Sequence, residues 1–119
     1  MVTSALPELG ADKSLLLVDD DEPFLRRLAR AMEKRGFAPE AVESVAAGVA
    51  IATARPPAYA VVDLRLEDGN GLDIVGVLHE VRPEARAVML TGYGNIATAV
   101  AAVKAGAIDA PADAQGDAS

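Results

Sequence analysis

The sequence predicts an α/β fold in which a parallel sheet is covered by helices. Short apolar segments alternate with longer segments of helical periodicity, and the connections between them are short. Such alternation is typical of right-handed strand–helix–strand units. Apolar residues make up 51% of the chain but aromatic residues only 3%, so Ala, Val and Leu must build the core. This composition favours a sheet covered by close-packed helices over an aromatic-rich sandwich.

The first strand and helix are predicted by local signals. Ser14–Val18 is a compact apolar run that continues into four acidic residues at 19–22. Pro23 fits the first turn of a helix, and an acidic residue of that run can cap it. Apolar residues recur at helical spacing after it, at Phe24, Leu25, Leu28, Ala31 and Met32. Gly36 is expected to end this amphipathic helix.

Similar signals predict the remaining elements. In chain order these are strand Ala38–Val42, helix 44–54, a strand that runs from Tyr59 to Asp63, helix 71–81, strand Arg86–Leu90 and helix 95–105. Ser44 and Asn95 can cap the second and fourth helices. Pro56, Pro83 and Gly106 mark the ends of the last three helices.

The two ends of the chain are predicted to lie outside the folded domain. Residues 1–13 mix turn-forming and charged residues without periodicity and are expected to form a flexible leader. Near the C-terminus Ile108 is the last large apolar residue, so residues 110–119 are expected to form a disordered tail. The predicted domain covers residues 14–109 as a single unit.

Composition excludes several classes of function. The formal net charge is −7, from 11 basic and 18 acidic residues, which disfavours nonspecific binding to nucleic acid or an anionic membrane. The chain has no cysteine, so disulfides, thiolate metal sites and cysteine nucleophiles are excluded. No apolar run is long enough to span a bilayer, and no signal peptide is recognisable. A cytoplasmic location is therefore expected.

Polar residues stand at the ends of three predicted strands. Asp19 and Asp20 follow the first strand, Asp63 ends the third, and Thr91 follows the fourth. Because parallel strands end at one edge of the sheet, these side chains are expected to converge. Carboxylates packed together need a cation, and oxygen ligands without His or Cys select Mg²⁺. This chemistry suits phosphoryl transfer to Asp63, with Thr91 and the Gly92 amide as hydrogen-bond donors to the phosphoryl oxygens.

Three motifs together resemble the receiver domain of two-component response regulators. They are Leu15-Leu16-Leu17-Val18-Asp19-Asp20-Asp21, Val61-Val62-Asp63 with Gly69-Asn70-Gly71, and Leu90-Thr91-Gly92. Residues 32–37 and 63–71 are most similar to the RegA/PrrA/ActR group of redox-responsive regulators of photosynthesis and energy metabolism. The resemblance implies a doubly wound parallel sheet of the flavodoxin/CheY-like class. Because this chain departs from the receiver pattern near its C-terminus, the fold is expected to be truncated to four strands, in the order 2-1-3-4, and four helices.

The resemblance also implies an acceptor and its metal ligands. Asp63 would be the phosphoacceptor, which receives a phosphoryl group from the histidine of a sensor kinase. Asp20, Asp63 and the backbone carbonyl of Arg65 would bind Mg²⁺, and Asp19 would act through water. The chain would not be an enzyme, apart from at most catalysing its own phosphorylation and dephosphorylation.

By the same resemblance, other residues would report the state of the acceptor. Thr91 would be the switch hydroxyl, and with Gly92 it would bind the phosphoryl oxygens. Arg65 and Tyr93 occupy positions that tune the lifetime of the phosphorylated state in receivers.

The chain departs from the receiver pattern after the fourth predicted helix. Receivers continue with a strand that carries an aromatic residue and a Lys-Pro pair, and then a fifth helix. Here Ala110 stands in the aromatic position and Pro111 has no lysine before it. Because the lysine is missing, weaker phosphorylation is expected. Because the fifth helix is missing, an apolar sheet surface beside the first helix is expected to be bare, which favours self-association. The DNA-binding domain of the group is also absent, so this chain alone is not expected to bind DNA.

Two alternatives to a working receiver remain open. One is a Mg²⁺-dependent phosphohydrolase of the haloacid dehalogenase type with Asp63 as nucleophile. That class needs a second aspartate two residues later, where this chain has Arg65. The other alternative is a truncated, signalling-impaired receiver that acts as a dimerising interaction module.

Overall fold

The computed structural model describes residues 12–90, 96–104 and 110–111. In chain order their elements are β1 Ser14–Val18, α1 Glu22–Glu33, β2 Ala38–Val42, α2 Val45–Ala54, β3 Tyr59–Asp63, β4 Arg65–Leu66, β5 Gly69–Asn70, α3 Leu72–Val81, β6 Arg86–Leu90, α4 Ile96–Lys104 and β7 Ala110–Pro111. None of the helices within these ranges is long and apolar enough to cross a membrane.

The first two helices begin at the caps that the sequence predicts. The Asp21 carboxylate accepts the backbone N–H of Phe24 at 3.1 Å, and Pro23 occupies the first turn of α1. The Ser44 hydroxyl accepts the backbone N–H of Ala47 at 3.1 Å and caps α2. Both caps satisfy backbone donors that a helix leaves free at its start.

The main sheet has the strand order β2-β1-β3-β6-β7, and all its strands are parallel. Its first four strands confirm the predicted order 2-1-3-4, because β6 is the fourth strand predicted from sequence. Leu17 lies beside Val61, and Val61 beside Val88, across the three central strands. This register places Asp63 at the carboxyl end of a strand that has neighbours on both sides.

The edge strand β7 differs from the expectation. The sequence predicts four strands and a disordered tail from Ala110, whereas Ala110 and Pro111 pair in parallel with Val88 and Met89. Strand pairing is made by backbone groups, and a strand of two residues carries no hydrophobic alternation. Composition alone therefore could not predict it.

Side chains alternate between the two faces of the sheet and build two apolar layers. Leu15, Leu17 and Val61 belong to a cluster with α1 and α4, while Leu16 and Val62 belong to a cluster with α2 and α3. Helices therefore cover both faces, and the prediction of a doubly wound α/β fold is confirmed.

Helix α4 covers the surface that was expected to be bare beside the first helix. Its Ala99, Val100, Ala102 and Val103 pack in the same cluster as α1. As a result Val61 and Val88 are each only 1% exposed, and Leu90 is 2% exposed. The expectation of an uncovered apolar patch that favours self-association is therefore wrong for this face.

The position of α4 also changes the hand of the last crossover. The chain moves from β6 to β7 in the same direction as from β3 to β6, yet α3 and α4 lie on opposite faces. The β6–α4–β7 connection therefore has the opposite hand to the others, against the predicted right-handed rule. Covering the apolar surface of β3 and β6 accounts for this departure, because leaving it in water is unfavourable.

Gly71 lies where the chain leaves the β4–β5 hairpin and approaches Asp63. A Cβ at this position would overlap the carbonyl oxygen of Asp63 and would lie 2.6 Å from Cγ1 of Val62. The backbone of residue 71 is in the ordinary right-handed helical region, so the close approach alone requires glycine here.

We expect Gly71→Ala to destabilise the fold by about 2 kcal/mol, because the added methyl group overlaps the backbone of the central strand. Gly76→Ala in α3 is the matched control, since nothing lies within 4 Å of its added Cβ. That change should stabilise the chain by about 0.5 kcal/mol through helix propensity. Urea unfolding measures both, and equal effects of the two variants would refute the close approach at Gly71.

Candidate functional site

Three carboxylates converge at the carboxyl edge of the sheet. Asp19 and Asp20 follow β1, and Asp63 is the last residue of β3. One oxygen from each lies within 4.8 Å of the others. Asp19 is 8% exposed, whereas Asp63 is partly buried and Asp20 is exposed. The convergence predicted from parallel strand topology is therefore observed.

Backbone groups hold two of these carboxylates in place. Oδ1 of Asp19 accepts the N–H of Asp21 at 2.9 Å, and Oδ1 of Asp63 accepts the N–H of Arg65 at 3.2 Å. The N–H of Asp19 in turn donates to the carbonyl of Val42 at 3.3 Å. Because the partners belong to the backbone, the side chains cannot simply turn away from one another.

Burial and mutual repulsion shape the electrostatics of the cluster. Burial is the largest of the causes that together raise the pKa of Asp19 to about 6; the hydrogen bond from the Asp21 amide opposes the rise, and the negative charges of Asp63 and Asp20 add to it. Burial also raises the pKa of Asp63, opposed by the hydrogen bond from the Arg65 amide, and the charge of Asp20 adds to the rise. The cluster is therefore unfavourable in its fully ionised form unless a cation binds.

The donor set fits a hard divalent cation. All three side chains offer carboxylate oxygens, and the carbonyl of Arg65 belongs to the hairpin that starts two residues after Asp63. Mg²⁺ and Ca²⁺ bind oxygen ligands of this kind, whereas zinc favours nitrogen and sulfur. One oxygen of Asp63, Oδ1, accepts the hydrogen bond of the Arg65 amide.

The other residues predicted for the site are not all visible. Thr91, Gly92 and Tyr93 lie outside the described residues. Arg65 is exposed on β4. Lys104 ends α4 and lines a cavity of about 470 Å³ with Lys13 and Tyr59, which stand at the opposite edge of the sheet. Lys104 therefore lies away from the three carboxylates and does not take the place of the lysine of the receiver pattern.

Asp68 is a residue whose structural role the sequence did not reveal. Its carboxylate accepts the backbone N–H groups of Val45 and Ala46, and these hydrogen bonds lower its pKa. Its partners lie 23 and 22 positions away in the chain. No local pattern in the sequence could identify a contact of this range.

Comparison with known families identifies the class of protein. The family model of the response regulator receiver domain matches residues 15–110 of the sequence, and the chain belongs to this family.

Two curated relatives are similar to most of this chain. The chain is 76% identical over 110 residues to the photosynthetic apparatus regulatory protein RegA of Rhodovulum sulfidophilum, covering 90% of this chain and 60% of the relative. It is 63% identical over 109 residues to the acid tolerance regulatory protein ActR of Rhizobium meliloti (strain 1021), covering 89% of this chain and 56% of the relative. The chain thus spans 60% or less of the length of these two relatives.

A similar solved structure is a response regulator protein from Burkholderia pseudomallei with a phosphorylated aspartic acid, calcium ion and citrate. It aligns with a TM-score of 0.67 at 41% sequence identity, covering 84% of this chain and 58% of that chain. The predicted similarity to receivers and to the RegA and ActR group is confirmed.

The raised pKa of Asp19 makes stability depend on pH in metal-free protein. Its folded pKa of about 6 lies above the ordinary 3.8, so the protonated form is favoured by folding. This contribution is present below the ordinary pKa and is lost as the pH rises through about 6. Asp19→Asn stays neutral and can still accept the Asp21 amide.

We therefore expect Asp19→Asn to be more stable than wild type by about 2 kcal/mol near pH 8, with the difference vanishing as the pH falls below the ordinary pKa of 3.8. Urea unfolding in the presence of a chelator measures this difference. Glu67→Gln, on the exposed hairpin turn, is the control. Its difference in stability from wild type should change less with pH than that of Asp19→Asn. A stability difference for Asp19→Asn that does not change with pH would contradict the electrostatic account.

Proposed function

We propose that this chain is a response-regulator receiver that accepts a phosphoryl group on Asp63 from the histidine of a sensor kinase. The observation that carries the proposal is the convergence of Asp19, Asp20 and Asp63 at one edge of a receiver-family sheet. Phosphorylation by a histidine kinase is general in this family. The phosphorylated aspartic acid of the Burkholderia pseudomallei protein supports the same chemistry here.

The transfer is a displacement at phosphorus. Oδ2 of Asp63 attacks, the phosphorus–nitrogen bond to the kinase imidazole breaks, and an acyl phosphate forms. The leaving imidazole nitrogen keeps the electron pair of the broken bond. The Arg65 amide holds Oδ1 at 3.2 Å and so fixes the orientation of the attacking carboxylate.

Asp20, Asp63 and the Arg65 carbonyl would hold Mg²⁺ in this proposal, with Asp19 acting through water. The bound cation would neutralise charge on the phosphoryl oxygens. Support comes from the all-oxygen donor set and from the calcium ion described for the Burkholderia pseudomallei protein. Asp19, the most buried of the acids, would help to keep the cation attached through its charge.

The residues that would follow the phosphoryl group are also part of the proposal. Thr91 and the Gly92 amide would donate to the phosphoryl oxygens. Arg65 and Tyr93 would tune the lifetime of the phosphorylated state. Because the sequence lacks the Lys-Pro pair, Asp63 would be phosphorylated less readily than in receivers that have it.

The names of the relatives point to the process. RegA is a photosynthetic apparatus regulatory protein and ActR an acid tolerance regulatory protein. We place this chain in two-component control of photosynthesis or redox-linked genes, with a sensor histidine kinase as partner. The dimerising interaction module is less well supported, because α4 covers the apolar surface that would have driven it.

Incubation with acetyl phosphate and Mg²⁺ tests the proposal. Wild type should gain one phosphoryl group by intact mass, and Asp63→Asn should gain none, because the attacking oxygen is lost. Asp73→Asn, in the first turn of α3, is the matched control and should be phosphorylated like wild type. A wild-type chain without adduct at saturating Mg²⁺ would refute the phosphoacceptor, and rapid hydrolysis of general phosphate esters would favour the phosphohydrolase.

A further inference from the structure

The tip of the β4–β5 hairpin is fastened to the beginning of α2. Oδ1 of Asp68 accepts the N–H of Val45 at 2.8 Å, and Oδ2 accepts the N–H of Ala46 at 3.1 Å. The backbone of Gly69 lies beside the same helix, since a Cβ there would be 3.5 Å from Cγ2 of Val45. One carboxylate thus satisfies two free donors of α2 and fixes where the hairpin tip lies.

The base of the same hairpin lies against Asp63. The N–H of Gly71 donates to the carbonyl of Leu64 at 2.9 Å and closes the loop. On the outgoing side, the N–H of Arg65 donates to Oδ1 of Asp63 at 3.2 Å. The hairpin therefore connects the acidic cluster at its base with the start of α2 at its tip.

The hairpin cannot hold this shape by its own strand pairing. Each of its strands has two residues, with Arg65 opposite Asn70 and Leu66 opposite Gly69. Isolated hairpins of that length are unstable in water. The buried side chain of Leu66 anchors one strand of the hairpin in the core. The Asp68 contact is a second anchor, and it holds the tip.

The start of α2 is itself fixed beside the acidic cluster. It follows β2, whose last residue, Val42, accepts the N–H of Asp19 at 3.3 Å. Ser44 then caps the same helix whose first backbone N–H groups donate to Asp68. The contact at Asp68 therefore completes a closed path of backbone and hydrogen bonds from Asp19 through α2 and the hairpin to Asp63.

We propose that Asp68 is a positioning residue for the Asp63 site, which keeps the Arg65 carbonyl and the Asp63 carboxylate arranged for a divalent cation by holding the hairpin on α2. This inference rests on the proposed function of Asp63. Loss of the contact would let the hairpin tilt, and the metal ligands at its base would lose their alignment. Residues that orient metal ligands from outside are worth a measurable part of the affinity.

A pair of alanine variants separates positioning from helix stability. Asp68→Ala removes the acceptor that comes from the hairpin, whereas Ser44→Ala removes the helix's own capping acceptor, which binds the amide of Ala47. Calorimetric titration with Mg²⁺ alone should show about tenfold weaker binding for Asp68→Ala and affinity close to wild type for Ser44→Ala. Asp68→Asn keeps one acceptor oxygen without the charge, so its Mg²⁺ affinity should fall between those of the two alanine variants. This variant keeps the test possible if Asp68→Ala folds poorly.

Amide hydrogen exchange at Arg65 and Gly71 gives a second readout that needs no metal. In metal-free protein, Asp68→Ala should speed exchange at both amides by about tenfold relative to Ser44→Ala. Equal Mg²⁺ affinity in wild type and Asp68→Ala, or equal losses in both alanine variants, would overturn the inference. A wild type without Mg²⁺ binding would instead overturn the proposed metal site, and exchange at the two amides would then decide whether Asp68 positions the hairpin.

Discussion

Repulsion among three carboxylates at one edge of the sheet is the constraint on which the functional site depends. Asp19, Asp20 and Asp63 bring oxygens within 4.8 Å of one another, and burial raises the pKa of Asp19 and Asp63. Parallel strand topology assembles this edge, and backbone amides hold the side chains there. The fold thus maintains an arrangement that is unfavourable on its own, and a divalent cation would make it favourable.

The residues that follow Asp63 make contacts that preserve the arrangement of the three carboxylates. Gly71 lets the backbone return against the carbonyl of Asp63, where any side chain would overlap it. Between these two residues a short hairpin carries Arg65 at its base and Asp68 at its tip. In our proposal the geometry of the Asp63 site therefore depends on contacts that reach from the sheet edge to α2.

Local patterns in the sequence were sufficient to predict the main elements. Ser44 and Pro23 mark helix starts, and the apolar run Ser14–Val18 marks a buried strand. Parallel topology then predicted the meeting of Asp19 and Asp63, because it determines which strand ends share an edge. The roles of Thr91, Gly92 and Tyr93 remain predictions, since these residues lie outside the described ranges.

Features that depend on long-range packing could not be predicted in this way. The face chosen by α4 follows from which sheet surface remains uncovered, which the helix's own periodicity does not specify. Pairing of Ala110 with Val88 and the contact of Asp68 with α2 likewise join distant parts of the chain. Each of them was invisible to a window of local sequence.

Thermal unfolding at increasing Mg²⁺ concentration tests the central claim most directly. A cation that binds the folded acidic cluster stabilises it in proportion to the logarithm of its concentration above the dissociation constant. The account predicts a rising midpoint for wild type and a flat one for Asp63→Asn at equal ionic strength. A flat midpoint for wild type, or an equal rise in both proteins, would contradict it.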